Sequence, residues 1–244
     1  MKLWHTKTVW EKLAREDPYW AVLTVPDKAG NRWQPDEFFE TGVADVAADM
    51  DYLGEHLPEL RRGRALDFGC GVGRLTQALA RHFEHVTGLD VAEPMIERAR
   101  EHNEQGDRVN YVHNPASDLR QFDDDQFDLV YSVITLQHIP VALTRGYLRE
   151  FVRVCRPGGA LLFQMTATVP LSHARFSWYP PTIWKRLKRG FLRVTGLKAQ
   201  MSMNALSKSE VIDCLGKAGA NVVKVRPYHA AGELESWLYL AVKS

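Results

Sequence analysis

The chain has 244 residues and a formal net charge of +1, with 45% hydrophobic and 25% charged residues. That length supports one large domain or two small ones, and the near-neutral charge removes any global pull toward nucleic acid or a membrane surface. Cys70, Cys155 and Cys214 are odd in number and far apart, so they form neither a CxxC pair nor a disulfide framework. With no apolar leader in MKLWHTKTVWEKLARED and no stretch approaching the roughly 18 apolar residues of a membrane span, the expectation is a soluble cytoplasmic chain.

In chain order, Val43, Val46, Ala47, Met50, Leu53 and Leu57 recur at helical spacing and predict an amphipathic helix within an N-terminal extension over 1–60. From Arg64 the pattern alternates. RALDFG reads as a strand, 74–83 as a helix with Leu75 and Leu79 on one face, and HVTGLD as a second strand. A helix over 94–103 opens at Pro94, a favoured first-turn position. RVNYVHN and FDLVYSVI are the next strands, followed by a helix to Val154, an RPGG turn and the strand ALLFQM. Residues 166–206 carry no recognisable strand and read as an insert. Ser207 to Glu210, SKSE, matches a capping box that opens a helix to about Ala218. NVVKVRPYH and SWLYLAVKS then close the chain as an antiparallel pair. The fold class is α/β: a doubly wound, seven-stranded, mostly parallel sheet whose last strand is antiparallel. It forms one domain over 1–244, divided into the extension (1–60), a core (61–165), the insert or lid (166–206) and a C-terminal helix and strand pair (207–244).

The stretch LDFGCGVGRL, residues 66–75, sits at the first strand-to-helix turn. A phosphate loop needs a GxxxxGK[ST] pattern, and no lysine follows. A dinucleotide turn needs GxGxxG; counted from Gly69, the sixth position is Arg74. What remains is DxGxGxG, with Asp67, Gly69, Gly71 and Gly73, followed by Asp90 at the end of the next strand. An acid there can accept from both hydroxyls of a ribose, which suits any adenosine cofactor on such a sheet.

Four segments in this order, LDFGCGVGRL, GLDVAEPMIERA, FDLVYSVITLQHIP and VCRPGGALLFQ, resemble the successive motifs of class I S-adenosylmethionine-dependent methyltransferases. The resemblance covers about residues 60–165 well and implies a Rossmann-like sheet with S-adenosyl-L-methionine as cofactor. It implies that Asp67 holds the amino end of the cofactor, directly or through water, against the bare backbone of Gly69, Gly71 and Gly73. Asp90 would bind the ribose, with Val91 and Met95 beside the adenine. Asp118 and the backbone near Ser117 would meet the adenine amino group, and Ser132 and Val133 would face the sulfonium. The family often carries an acid two or three residues before the position of Asp118, where this chain has Pro115; a helix-cap or turn role for Asp118 is the alternative.

Methyl transfer is an in-line displacement, so most of its catalysis is alignment and desolvation. A hydroxyl acceptor also calls for a general base. His138, in LQHIP past the fourth strand, is the base candidate, a cap or packing role being the alternative; His173 and His229 are weaker. No HxxxH, HxH or HExxH spacing occurs, so no metal is expected, and Asp123 to Asp125 reads as a solvated turn. Between Arg153 and Ser209 there is no acid, while WYPPTIWKRLKRGFLRV reads as a basic amphipathic helix. It suits a lid, a site for an anionic acceptor, or docking to a membrane surface or RNA, although net neutrality opposes the last. Phe38, Phe39, Trp178 and Tyr179 are candidates for an acceptor pocket, with core packing as the alternative. The expected activity is methylation of a small or medium-sized acceptor at a hydroxyl oxygen. RNA or protein methylation, or S-adenosylmethionine binding without turnover, are the competing functions.

Overall fold

The computed structural model describes residues 3–168, 203–228 and 235–244. The predicted basic helix, with His173, Trp178, Tyr179 and His229, lies outside the described residues. A seven-stranded sheet runs in the order β3-β2-β1-β4-β5-β7-β6. Its strands are β1 (Arg64–Phe68), β2 (His85–Asp90), β3 (Val109–His113), β4 (Phe127–Ser132), β5 (Cys155–Thr168), β6 (Ala220–Pro227) and β7 (Glu235–Lys243). The pairs from β3 through β5 are parallel, and β7 is antiparallel to both β5 and β6. The order therefore reverses between β1 and β4, and a crevice opens there at the carboxyl ends of the strands.

The strands are apolar on both faces, as a covered parallel sheet requires. Leu66, Phe68, Leu161, Phe163 and Tyr239 pack on one face against α6 (Val141–Val154) and α7 (Lys208–Ala218). Ala65, Leu129, Tyr131, Leu162 and Leu240 pack on the other, with α3 (Pro35–His56), α4 (Arg74–Leu79) and α5 (Glu93–Glu101). The predicted capping box is present at α7, with the Ser207 hydroxyl accepting from Glu210 N and the Glu210 carboxylate accepting from Ser207 N. One boundary differs from the sequence expectation. β5 carries RPGG inside the strand and runs on to Thr168, so 166–168 belong to the sheet. The extension is there because β7 supplies a partner: Thr166 pairs with Ser236 and Thr168 with Glu235.

Two further helices, α1 (Leu3–Glu16) and α2 (Pro18–Val22), precede α3. Asp17 organises the turn between them. Its carboxylate accepts from Trp20 N at 3.4 Å, and from Gly30 N and Asn31 N at 2.7 and 2.9 Å. A third cluster, including Leu13, Ala21, Phe38 and Trp33, packs α1 and α2 onto Val72 and Met95 of the sheet domain.

α3 is pinned to the domain at two places. Arg74, 2% exposed, donates from Nη1 to Asp45 Oδ2 at 2.6 Å and to Thr41 Oγ1 at 3.0 Å. Gly42 permits that crossing, because a Cβ there would lie 2.5 Å from the Arg74 carbonyl oxygen. Lower down, Asp49 accepts from the Tyr131 hydroxyl and from Arg226 Nη2, each at 2.7 Å. Burial is the main influence on the Asp49 carboxyl and leaves it above the usual carboxylate range despite both partners. Replacing Asp49 by Ala strands the buried Tyr131 hydroxyl without its acceptor, so a loss of about 2–3 kcal/mol is expected. Tyr131→Phe, which also removes the donor's need, costs about 1 kcal/mol. Urea unfolding of both variants reads the difference, and equal losses would contradict the pin.

Candidate functional site

β1 ends in a turn that only glycine can make comfortably. Gly69, Gly71 and Gly73 have φ of +80°, +55° and +89°, in the left-handed region. Space excludes a side chain as well. A Cβ on Gly69 would collide with the Thr135 side chain, and one on Gly71 would sit 2.6 Å from Val22 Cγ2. The turn is sewn to β2 by Gly69 N and Cys70 N, which both donate to the Leu89 carbonyl at 2.7 and 3.0 Å.

Asp90, next in β2, closes the turn. Its Oδ2 accepts from Gly71 N at 3.0 Å and its Oδ1 from Ala92 N at 2.8 Å. Burial raises its pKa, while these backbone donors and His113 pull it down. A carboxylate fixed by main-chain donors is preorganised and keeps acceptor capacity for a ligand.

Above this turn lies a cleft lined mainly by apolar side chains. Of the residues the sequence nominated, Gly69, Gly71, Asp90, Val91, Met95, Val133 and His138 line it. Asp67, Gly73, Ser117, Asp118 and Ser132 are not among its walls. Ser132 is buried behind the crevice and donates to the Phe68 carbonyl at 2.9 Å. Gly73 caps α4 and abuts Tyr111. Asp118 is bonded to the Arg120 guanidinium, the closest contact being 2.6 Å. Asn114 lines the cleft instead, 3% exposed; it donates to the Asp118 carbonyl and accepts from Ala116 N. Phe38 is fully buried against Tyr19 and Trp33, and Phe39 borders a separate groove with Arg74 and His102.

Asp67 sits beneath the turn, 1% exposed, and accepts from Thr76 Oγ1 at 2.6 Å. Burial pushes its carboxyl up to about 7, against the lowering influence of Thr76 and Arg74.

The opposite wall was missed by the sequence reading. Thr6 and Trp10 of α1, and Ala21 and Val22 of α2, line the cleft. Thr6 is 5% exposed, and its hydroxyl has no hydrogen-bond partner among the described residues. The signal was available: Val9, Leu13 and Ala14, with Thr6 before them, share a helical face. Past β4, Ile134 has φ +61°, a strained conformation for a branched residue, and its N–H is held by Gln164 Oε1 at 3.1 Å. His138 follows in a short turn, 7% exposed, with the Trp10 ring edge-on at 5.1 Å. Among the described residues no group of three or more His, Cys, Asp or Glu is placed to hold a metal, and no helix is long and apolar enough to cross a membrane. Two of the acidic triplet are engaged in ion pairs, Asp124 with Arg153 and Asp125 with Lys243.

A doubly wound sheet with a glycine turn, a carboxylate at the end of β2 and a cleft at the switch point defines an adenosine-cofactor-binding α/β domain. Residues 66–163 match the family described as "Methyltransferase domain". A ubiquinone biosynthesis O-methyltransferase of Bordetella avium is 31% identical over 145 residues, 59% of each chain. A demethylmenaquinone methyltransferase of Clavibacter sepedonicus is 38% identical over 112 residues, 46% of this chain and 44% of its own. The alignments thus span less than two thirds of these relatives. A solved S-adenosylmethionine-dependent methyltransferase from Mesorhizobium loti shares the fold at TM-score 0.60 and 22% identity, covering 82% of this chain and 99% of that one. Residues 66–163 therefore form a methyltransferase-type domain, and the likeness of the chain to the Mesorhizobium loti enzyme is one of fold.

The Asp67 carboxyl has a measurable consequence. It titrates near 7 in the fold against about 4 in an unfolded chain, so the native state holds this proton more tightly across that window. Its contribution is fully present below pH 4 and is lost as the pH rises through 7. Urea midpoints between pH 4 and 8 are expected to fall less for Asp67→Asn than for the parent; parallel profiles would contradict a neutral Asp67.

Proposed function

We propose that this chain transfers the methyl group of S-adenosylmethionine to a small, largely apolar acceptor at a hydroxyl oxygen. The observation that carries the reading is the Asp90 carboxylate, fixed by Gly71 N and Ala92 N at the mouth of the crevice. The site fits the cofactor in two further respects. The glycine turn presents main chain where any Cβ would clash, and Thr6 offers a buried hydroxyl with unused capacity. When bound, S-adenosylmethionine supplies an electrophilic methyl group on a sulfonium, with a neutral thioether as leaving group.

The chain's part is to bind, align and dry the reactants. In this reading Asp90 accepts from the ribose hydroxyls, and Val91 and Met95 flank the adenine. Asn114 replaces Asp118 and Ser117 as the polar group at that end, since it lines the cleft. Gly69 and Gly71 support the methionyl part, and Val133 and Ile134 border the reacting end. Asp67 acts from beneath, through the turn, and Ser132 by holding β4 to β1. Trp10, Ile134 and Ile139 give the remaining wall an apolar character. That wall and the names of the relatives favour a quinone-type ring carrying a hydroxyl over an anionic acceptor. RNA or protein methylation rested on the basic insert, which lies outside the described residues, and no described feature supports it.

Calorimetry with S-adenosylhomocysteine tests the cofactor half. Asp90→Ala removes hydrogen bonds to a charged acceptor, worth about 3 kcal/mol together, so binding is expected to weaken about a hundredfold. Thr6→Val is expected to weaken it about three- to tenfold. Absence of binding to the parent protein, or indifference to Asp90→Ala, overturns the reading. For the acceptor half, labelled methyl transfer is measured to hydroxylated quinone precursors and, separately, to RNA. Product carrying an ether methyl is expected only from the former.

A further inference from the structure

The last main-chain pair between β4 and β5 is Ser132 with Phe163. Two residues farther on, the chain turns at Ile134. Among the described residues, Asn31, Asp125 and Ile134 are the non-glycine positions with positive φ. Asn and Asp tolerate that conformation because their short polar side chains bond locally, whereas a β-branched residue pays for it in full. Ile134 is therefore held from outside. Its N–H lies past the end of the ladder and donates to Gln164 Oε1 at 3.1 Å, so a side chain of β5 acts where a strand partner would.

The turn changes what the loop shows to the cleft. An extended strand presents alternate residues to one face, and Ser132 points to the rear, onto the Phe68 carbonyl. With Ile134 left-handed, three consecutive residues, Val133, Ile134 and Thr135, border the cleft. Thr135 then lies against the glycine turn. Its hydroxyl is 3.3 Å from the Gly69 carbonyl and 3.2 Å from that of Val133, and its side chain fills the space that a Gly69 Cβ would need. We propose that Gln164 is a positioning residue for this wall: it holds Ile134 left-handed and so seats Ile134 and Thr135 beside the glycine turn, where the methionyl part of S-adenosylmethionine lies. The identity of that ligand rests on the reading given under the proposed function; the backbone geometry does not.

The orientation of Gln164 is forced. A backbone N–H can only donate, so the carboxamide oxygen faces Ile134 and Nε2 faces away. There Nε2 meets Gln137 Oε1 at 3.1 Å and Ser236 Oγ of β7 at 3.0 Å. Thr166 Oγ1 closes the group, 3.0 Å from Gln137 Oε1 and 3.0 Å from Ser236 Oγ. Gln164 and Thr166 are fully buried, and Gln137 and Ser236 nearly so. An amide engaged at both ends in dry surroundings has no competing water, so its oxygen stays on Ile134. β7 thus contributes to the cleft from behind, by fixing the far end of the amide that shapes the loop after β4.

Two measurements test this, and neither needs turnover. NMR scalar couplings that report φ at residue 134 are taken without ligand, and S-adenosylhomocysteine binding is measured by calorimetry. Gln164→Met keeps the length of the side chain and removes the acceptor, so Ile134 is expected to relax to negative φ. The left-handed form then falls to about a tenth of the population, and binding is expected to weaken about tenfold. Gln164→Glu, a protonated acid when buried, keeps an acceptor for Ile134 and a donor for Gln137, and is expected to retain both φ and affinity. Glycine adopts the left-handed form unaided, so in an Ile134→Gly background the loss caused by Gln164→Met is expected to shrink to less than about twofold. Ser236→Ala removes a partner from the far end of the amide alone and is expected to leave φ and affinity as they are. A negative φ at residue 134 in the parent overturns the proposal, as does a left-handed φ that persists in Gln164→Met. So does a Gln164→Met loss of binding that is undiminished in Ile134→Gly or matched by Ser236→Ala. Absence of binding to the parent overturns the cofactor reading instead, and the couplings still decide what Gln164 does to Ile134.

Discussion

The turn after β1 exists because three alternate residues lack a Cβ. Their left-handed φ values fold the main chain back so that Gly69 N and Cys70 N reach one carbonyl of β2. This carries the end of β1 against the end of β2 and puts Gly71 N within reach of Asp90. The carboxylate is therefore part of the turn before it is part of any binding site. Substituting any of the three glycines sets a side chain against Thr135, Val22 or Tyr111. Those neighbours come from the β4 loop, α2 and β3, so the turn is the point at which the sheet, the N-terminal wall and the loop after β4 are held in common register.

The N-terminal helices owe their position to that same compactness. Val22 can rest over Gly71 only because the glycine is bare, and α1 follows through the Asp17 turn. Farther along, α3 is fixed by Arg74 and Asp49, two buried charged groups whose partners come from both sides of the contact. Ion pairs of this kind contribute little net stability when desolvation is counted, but they leave few alternative registers. Here they set which face of α3 meets the sheet, and so how closely α1 and α2 can approach the crevice. Arg74, which spoils a dinucleotide glycine pattern, is the residue that does this.

Strand periodicity and the glycine spacing made most of the sheet and half of the cleft legible in the sequence. Asp90, Val91 and Val133 lie where strand ends had to place them, because a parallel sheet puts its carboxyl ends on one side, and Met95 follows in the first turn of α5. Asp118 and Ser117 do not line the cleft, because their loop is not a strand end and its direction is set by Asn114 bonding across it. The α1 and α2 wall was missed because Trp10, Tyr19 and Trp20 mask the helical period with aromatic bulk on several faces. The extension of β5 to Thr168 depended on pairing with β7, a contact of long sequence separation that local pattern does not carry.

Two carboxyls near the cofactor crevice divide their roles by environment. Asp67 and Asp90 are both raised by burial, and each ionised group discourages ionisation of its neighbour. Asp90 accepts from two main-chain N–H groups, whereas Asp67 has a single hydroxyl from Thr76. Donors that stabilise the charged form therefore favour Asp90 as the ionised member. A neutral Asp67 relieves the repulsion that an ionised one would impose on it, at the cost of nothing in the cleft itself, since Asp67 does not line it. The crevice thus carries one fixed negative charge, on Asp90 at the end of β2. A sulfonium brought into the crevice would meet that charge, and no Lys or Arg is among the described residues that line it, which is the electrostatic condition under which a positively charged methyl donor binds.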